Sequence, residues 1–407
     1  MAVHVIHEAD RCLNCKKPMC QQGCPIHTPI PAMIQAFKAG QLADAGNMIF
    51  ENNPMSLICS LVCNHEKQCE GHCVLGRKGQ PVHISSIENY ISDTMFDRLK
   101  IEKQPSNGKK VAVIGAGPAG ITIAILLTKK GYSVTIFDAR DKIGGVLQYG
   151  IPEFRLPKTI LSRYKKKLLE LGIKIRPNTT IGGALEIKDL FRDGYKSIFI
   201  GTGVWRPKKL GIKGESLGHV HFAIDYLANP DAYNLGDRVA IIGVGNSAMD
   251  VARTVIRHGS RDVTLYARGS KSDASEHETT YAKLDGARFE FGKAITEIND
   301  DGPVFHKVFF DEEGNKTGVS EDTEQVYADS IIISISQGPK SKLVNTTEGL
   351  KASENGLLVT NQFGETTHPG IFAAGDVVLG AKTVVEATAY SKMVADSMDK
   401  YMQSQES

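Results

Sequence analysis

No cysteine follows Cys73 in this chain of 407 residues, although all eight of its cysteines lie at or before that position. That absence removes a self-contained disulfide reductase, whose redox Cys-x-x-Cys must lie beside a flavin. Net charge is nearly absent too. The 48 Lys+Arg against 46 Asp+Glu leave +2, with both signs scattered, so no broad field draws nucleic acid or an anionic membrane. The opening MAVHVIHEADR lacks the basic end and long apolar core of an export signal, and a cytoplasmic location is expected. Long hydrophobic runs are missing as well. The best candidate span, Val111 to Thr128, contains Gly115, Gly117, Pro118 and Gly120 and reads as a buried strand, a tight turn and a helix. With 41% hydrophobic residues, the composition excludes disorder, collagen and coiled coil as the main architecture.

The cysteines that are present crowd together: Cys12, Cys15, Cys20, Cys24, Cys59, Cys63, Cys69 and Cys73. In a cytosolic chain such crowding favours metal chemistry over a disulfide framework. Short helical patterns surround them, at Ile30 to Ala39 and Ser85 to Lys100, and Gln104-Pro-Ser-Asn-Gly108 reads as a linker. Beyond it the texture changes. Val111-Ala-Val-Ile-Gly-Ala-Gly-Pro-Ala-Gly120 recurs in altered form as Val239-Ala-Ile-Ile-Gly-Val-Gly-Asn-Ser-Ala248, each an apolar strand leading through glycines into a helix. Two dinucleotide-binding units are expected, the second inserted into the first, with crossings at Gly201-Thr-Gly203 and Gly338-Pro339. The closing elements are the strand Ser330 to Ile335, Gly370-Ile-Phe-Ala-Ala-Gly-Asp376 and a helix from about Thr383 to Tyr401.

In the first unit Gly115 makes the turn, Gly117 lets the backbone approach a pyrophosphate, and Gly120 permits helix-to-strand packing. Pro118 and Ala119 open the helix between them, and Asp138 ends the second strand where an acid can bond a ribose hydroxyl. The second unit has Gly243, Val244, Gly245, Asn246 and Ser247, with Ala248 for the third glycine. Arg268, with Lys271 nearby, stands where an NAD site would carry an acid. A cation there suits a 2′-phosphate and favours NADP, while a solvated surface arginine is the plainer alternative.

The cysteine strings run Cys12-x2-Cys15-x4-Cys20-x3-Cys24-Pro25 and Cys59-x3-Cys63-x5-Cys69-x3-Cys73. Short thiolate spacings in loops, ending in Cys-x3-Cys-Pro, suit iron–sulfur cubanes better than the evenly paired knuckles of zinc sites. A zinc-stabilised, non-enzymatic binding module is the bland alternative. His65, His72 and His83 carry no spacing that demands ligation, and Glu88 by the same standard is an ordinary helix-surface carboxylate.

Taken together, these features resemble, over nearly the whole length, the small (beta) subunit of glutamate synthase and its relatives: the large subunit of the bifurcating NADH-dependent ferredoxin:NADP oxidoreductase, and the electron-input part of dihydropyrimidine dehydrogenase. The match is carried by both cysteine strings, Cys69-Glu-Gly-His-Cys-Val-Leu-Gly76, Gly144-Gly145, Tyr149-Gly-Ile-Pro-Glu-Phe-Arg-Leu-Pro-Lys158, Gly243-x-Gly-Asn-x-Ala-x-Asp250, Gly370 to Asp376 and Thr383-Val-Val-Glu386. The resemblance implies an α/β protein: a helical domain (1–105) with two 4Fe–4S clusters, an FAD-binding domain in two parts (106–204 and 338–407), and an inserted NAD(P)H-binding domain (205–337). It implies one cluster on Cys12, Cys15, Cys20 and Cys73, and another on Cys24, Cys63, Cys69 and Glu88. Cys59 is then structural; eight cysteines for eight sites is the alternative. It also implies FAD contacts from Gly144, Gly145, Val146, Arg155, the backbone around Ile181, Gly375 and Asp376. Amides near Thr383 and Val384, at a helix N-terminus, would stabilise an anionic reduced flavin. The relatives usually carry two adjacent arginines where this chain has Ala267-Arg268-Gly269-Ser270-Lys271, which leaves NADPH against NADH open. No acid–base catalytic residue is required. The chain holds no substrate domain of its own, so electrons from NAD(P)H are expected to reach a larger catalytic subunit or a ferredoxin-type acceptor.

Overall fold

The computed structural model describes residues 2–405. Met1, Glu406 and Ser407, the outer ends of the expected 1–105 and 338–407 ranges, lie outside the described residues. The chain forms two compact units. One comprises Met1–Leu147, Glu153–Val204 and Pro339–Ser407, and the other Gln148–Pro152 and Trp205–Gly338.

The cysteine-bearing region does not stand apart. Its helices Ile30–Lys38, Leu42–Asn52 and Ile84–Met95 bury a common core of Met33, Ile34, Ile49, Ile87 and Ile91. The helix Lys158–Glu170 ties this region to the first nucleotide-binding sheet. Tyr164 Oη donates to Pro54 O (2.9 Å), Lys167 Nζ to Leu99 O (3.3 Å), and Arg163 pairs with Asp93 and Asp97. Lys392, from the C-terminal helix, donates to Asn52. The linker is stitched down as well: the Gln104 and Asn107 amides donate to Lys129 O and Gly131 O.

The first sheet is five parallel strands in the order Ile371–Ala373, Tyr195–Ile200, Lys110–Ile114, Ser133–Phe137, Lys174–Arg176. Strands buried on both faces read as continuous apolar runs, as Val111 to Ile114 do. The helix Pro118–Lys129 is apolar nearly all round because it is covered twice, by this sheet and by the helix Val384–Ser404.

In the second unit five parallel strands take the order Val220–Phe222, Ser330–Ile333, Arg238–Ile242, Asp262–Ala267, Arg288–Phe291. Between the last two in sequence runs an antiparallel meander, Lys293–Asn299, Gly302–Phe310 and Lys316–Gln325. Arg206–Pro207 pairs with Gln337–Gly338, so the two crossings of the second unit are bonded to each other. Gln148–Pro152, read from sequence as part of the first nucleotide-binding region, groups instead with the second unit. Tyr149 sets its ring edge-on to Trp205, 6.4 Å between centroids. Among the described residues no helix is long and apolar enough to cross a membrane.

Candidate functional site

Each glycine loop begins where its first strand ends. Gly115 (φ +104°) donates to Phe137 O at 2.8 Å, and a Cβ there would meet Gly201 O at 2.5 Å. Gly117 is the N-cap of the helix Pro118–Lys129, whose first amides have no intrahelical partner and face the loop. Gly144 donates to Ala116 O at 2.7 Å, and Gly145 (φ +55°) brings its Cα within 4.0 Å of where a Gly117 Cβ would be. Gly375 approaches from the C-terminal segment, so close to Ala119 that a side chain would touch its Cβ at 3.1 Å. Three separate segments thus bring bare backbone to one helix N-terminus, the arrangement a pyrophosphate needs.

Asp138 accepts from the Ala116 amide (2.6 Å) and the Arg140 amide (2.8 Å), although burial lifts its carboxyl above the ordinary value. Asp376 opens the short helix Asp376–Leu379, accepts from the Lys382 amide, and is raised to about 6 by burial and then by Glu386. Thr383 and Glu386 form a capping box, with Thr383 N donating to Glu386 Oε2 at 2.9 Å, and fix the start of Val384–Ser404. Val146 begins the short helix Val146–Tyr149, Ile181 is buried in the core beneath the first sheet, and Arg155 is half-buried with interactions of its own.

The second unit repeats the loop with more room. Gly243 (φ +127°) donates to Tyr266 O at 2.9 Å, and Gly245 caps the helix Asn246–Arg257 with open space where its side chain would be. Val244 O receives Ser272 Oγ and the Ala274 amide, and Asn246 Oδ1 receives the Ser275 amide. Ser247, Arg268 and Lys271 are exposed.

The eight cysteines are all free thiols. Cys12, Cys15, Cys20 and Cys73 line one hollow together with Leu13, Met19, Ile30, Pro31, Ile34 and Val82. Asn14, in the left-handed region at φ +48°, bends the loop so that its amide donates to Cys12, and the Gln21 amide donates to Cys20. Burial raises both thiols, Cys20 to about 11. Cys24, Cys59 and Cys69 are buried; Cys63, hydrogen-bonded to Cys59 and enclosed, is pushed well up, as is Cys69 by burial and then by Glu88. Thiols this enclosed stay protonated unless a cationic group takes their charge, which is what an iron–sulfur core supplies. Among the described residues no group of three or more Cys, His, Asp or Glu side chains is set to hold a single metal ion. A cubane spreads its thiolates over separate iron corners.

Glu88 corrects the reading of its residue type. It is not a helix-surface carboxylate but is 7% exposed, and burial, then the charge of Glu70, lifts its carboxyl to about 8. The signal was in the spacing, because Glu88 falls on the stripe Ile84, Ile87, Ile91 and Met95 of its own helix. Tyr164 also lies close, its hydroxyl raised by burial and by Cys59 and Glu88. His72 is exposed and bonds Gln68 O, and the His83 amide donates to Glu8.

Residues 109–391 match the pyridine nucleotide-disulphide oxidoreductase family, as do residues 76–189, and residues 2–99 match dihydropyrimidine dehydrogenase domain II, 4Fe-4S cluster. The glutamate synthase [NADPH] small chain of Escherichia coli strain K12 is 31% identical, covering 97% of this chain and 91% of that one. The NAD-dependent dihydropyrimidine dehydrogenase subunit PreT of Salmonella typhimurium strain LT2 is 32% identical over 98% of this chain and 94% of its own. Among solved structures, Mycobacterium tuberculosis FprA in complex with NADPH superposes with a TM-score of 0.63 at 17% identity, over 74% of this chain and 86% of that one, a likeness of fold.

Proposed function

Because the chain belongs to the family of the glutamate synthase small chains, flavin oxidoreductases with a 4Fe–4S domain, we propose that it takes electrons from NADPH and passes them through two 4Fe–4S clusters to a partner subunit. The clusters are held by Cys12, Cys15, Cys20 and Cys73, and by Cys24, Cys63, Cys69 and Glu88. The observation that carries the reading is one of position: a cradle for a flavin nucleotide and two cysteine sets occupy a single compact unit. Burial orders the two sets. In the Glu88 set Cys24, Cys69 and Glu88 are buried and Cys63 is half-buried, close to Tyr164 of the nucleotide-binding part, whereas all four thiols of the Cys12 set are half-buried. A cluster held by the Cys12 set would therefore be the one presented to an acceptor.

FAD, when bound, supplies the conversion between a two-electron hydride and single electrons. The chain's own residues hold and tune it. The amides at the start of Pro118–Lys129 take the pyrophosphate, Asp138 takes a ribose hydroxyl, and the helix N-terminus fixed by Thr383 stabilises negative charge on the ring. In the second unit Gly245 leaves room for the dinucleotide and Arg268, with Lys271, meets the 2′-phosphate. Eight unpaired thiols suit a cytoplasmic setting, where disulfides are reduced. Anaerobic reconstitution tests the reading. We expect roughly eight iron and eight sulfide per chain, and bleaching of the flavin by NADPH followed by a reduced-cluster EPR signal. About four iron per chain would remove the second cluster, and zinc without sulfide would remove both.

A further inference from the structure

The cations and exposed apolar surface around the Cys12 hollow are not used by anything described so far. Leu13, between two of the cysteines, is 62% exposed although its side chain also lines the hollow. Lys16 and Lys17 follow in the same loop. Across the hollow, Cys73 opens the short helix Val74–Arg77, and Arg77 and Lys78 are exposed at its end. None of these four cations makes an ion pair among the described residues. Two carboxylates of the region are paired with other cations, Glu8 with Arg11 (2.7 Å) and Asp10 with Lys38 (3.1 Å), while Glu70 accepts from Ser85 (2.7 Å) and its charge acts inward on Glu88 and Cys69. Glu66 likewise has its own interactions. The exposed rim therefore carries an excess of positive charge in a chain whose total is only +2. A one-electron transfer site needs an encounter that is fast and brief, which charge steering around a small apolar contact provides.

We propose that this rim is the docking surface for the electron acceptor, and that the acceptor is a protein whose own redox centre is ringed by carboxylates, as in an acidic ferredoxin. Leu13 supplies the desolvated centre of the contact; Lys16, Lys17, Arg77 and Lys78 supply attraction and orientation. The inference rests on the proposed function for its clusters, but its test is separable from it.

The probe is an acidic 4Fe–4S ferredoxin, titrated into the reconstituted chain by calorimetry at rising salt, with basic cytochrome c as the opposite-charge control. The unchanged chain is expected to bind the ferredoxin with an affinity that falls steeply as salt rises, and to bind cytochrome c poorly. Two double reversals, Lys16→Glu with Lys17→Glu and Arg77→Glu with Lys78→Glu, are each expected to weaken ferredoxin binding roughly tenfold or more and to improve cytochrome c binding. Iron content and circular dichroism should be those of the parent, since the four side chains are exposed. Absent or salt-insensitive ferredoxin binding, or double reversals that leave its affinity unchanged, overturn the proposal. Flavin bleaching by NADPH is measured in parallel. If bleaching fails while the charge-reversal effect persists, the donor assignment is wrong and the docking surface stands.

Discussion

The two glycine loops differ most at the third position of the fingerprint. At Gly120 a Cβ would lie 1.9 Å from Gly115 O, so no side chain fits, whereas Ala248 holds the equivalent place in the second unit and is fully buried without conflict. The acid-or-base position differs in the same sense: Asp138 is locked by two amides, and Arg268 is exposed. One loop is closed around by glycines from three segments; the other leaves Gly245 facing open space. The contrast teaches how one supersecondary unit serves two purposes. The closed version suits a group that stays, and the open version suits one that must enter and leave on every turnover.

The largest effect expected on this contrast is from Gly120→Ala. It should destabilise the first unit by about 3 kcal/mol, the upper end for overpacking, and abolish flavin retention in the purified protein. Ala248→Gly, by comparison, should cost only about 1 kcal/mol by thermal melting, the ordinary penalty of glycine in a helix. Next comes Arg268→Glu. Loss of a charge-assisted bond to the 2′-phosphate should lower kcat/KM for NADPH roughly 10- to 100-fold while NADH is spared. Equal losses for both would show that Arg268 does not read the phosphate.

Smaller effects test how each loop's helix is anchored at its far end. Asp285 accepts from Arg253 (2.9 Å) and Arg257 in the second unit. Although burial opposes it, these guanidiniums hold its carboxyl below the usual value. Asp285→Asn removes one of the two carboxylates that the poorly exposed Arg253 meets, leaving Glu278 at 3.2 Å, and should cost about 2 kcal/mol in a denaturant titration. In the first unit Asp399 accepts from Lys130 (2.8 Å) and Tyr132 (2.7 Å), bonds that outweigh burial and hold its carboxyl below the usual range. A depressed carboxylate stabilises the fold above its unfolded pKa, and that stability is lost as pH falls through the folded value. Asp399→Asn should therefore cost no more than about 1 kcal/mol at neutral pH, since water reaches the pair, and the deficit should shrink below about pH 4.

Most of the fold was legible because its signals are local. Val111 to Gly120 and Val239 to Ala248 announce strand, turn and helix within ten residues, and the insertion follows from strands that need completing. The edge strand Val220–Phe222 is too short to announce its sheet, and the meander over 293–325 alternates too weakly, half-exposed as it is, to be read. At the candidate site, spacing drew attention to the cysteines but did not sort them into sets. Which thiols share a hollow depends on Cys73 returning to Cys12 across the whole helical region. Glu88 was misjudged by residue type while its position on an apolar stripe held the answer. The joining of the helical region to the first sheet was not legible either, since Tyr164, Arg163 and Lys392 look like ordinary helix residues until their partners are seen.

The strand Ile371–Ala373 and the helix Val384–Ser404 complete a sheet whose first strand begins at Lys110. The ribosome therefore delivers the opening of that sheet early and its closure last, with an entire second unit synthesised in between. Throughout that interval Tyr195–Ile200 presents a bare strand edge and Pro118–Lys129 an uncovered apolar face, the two features most prone to wrong pairing. The second unit, continuous but for Gln148–Pro152, has all its strands as soon as Gly338 emerges. The nascent chain is thus asked to keep an early sheet open until its newest part arrives.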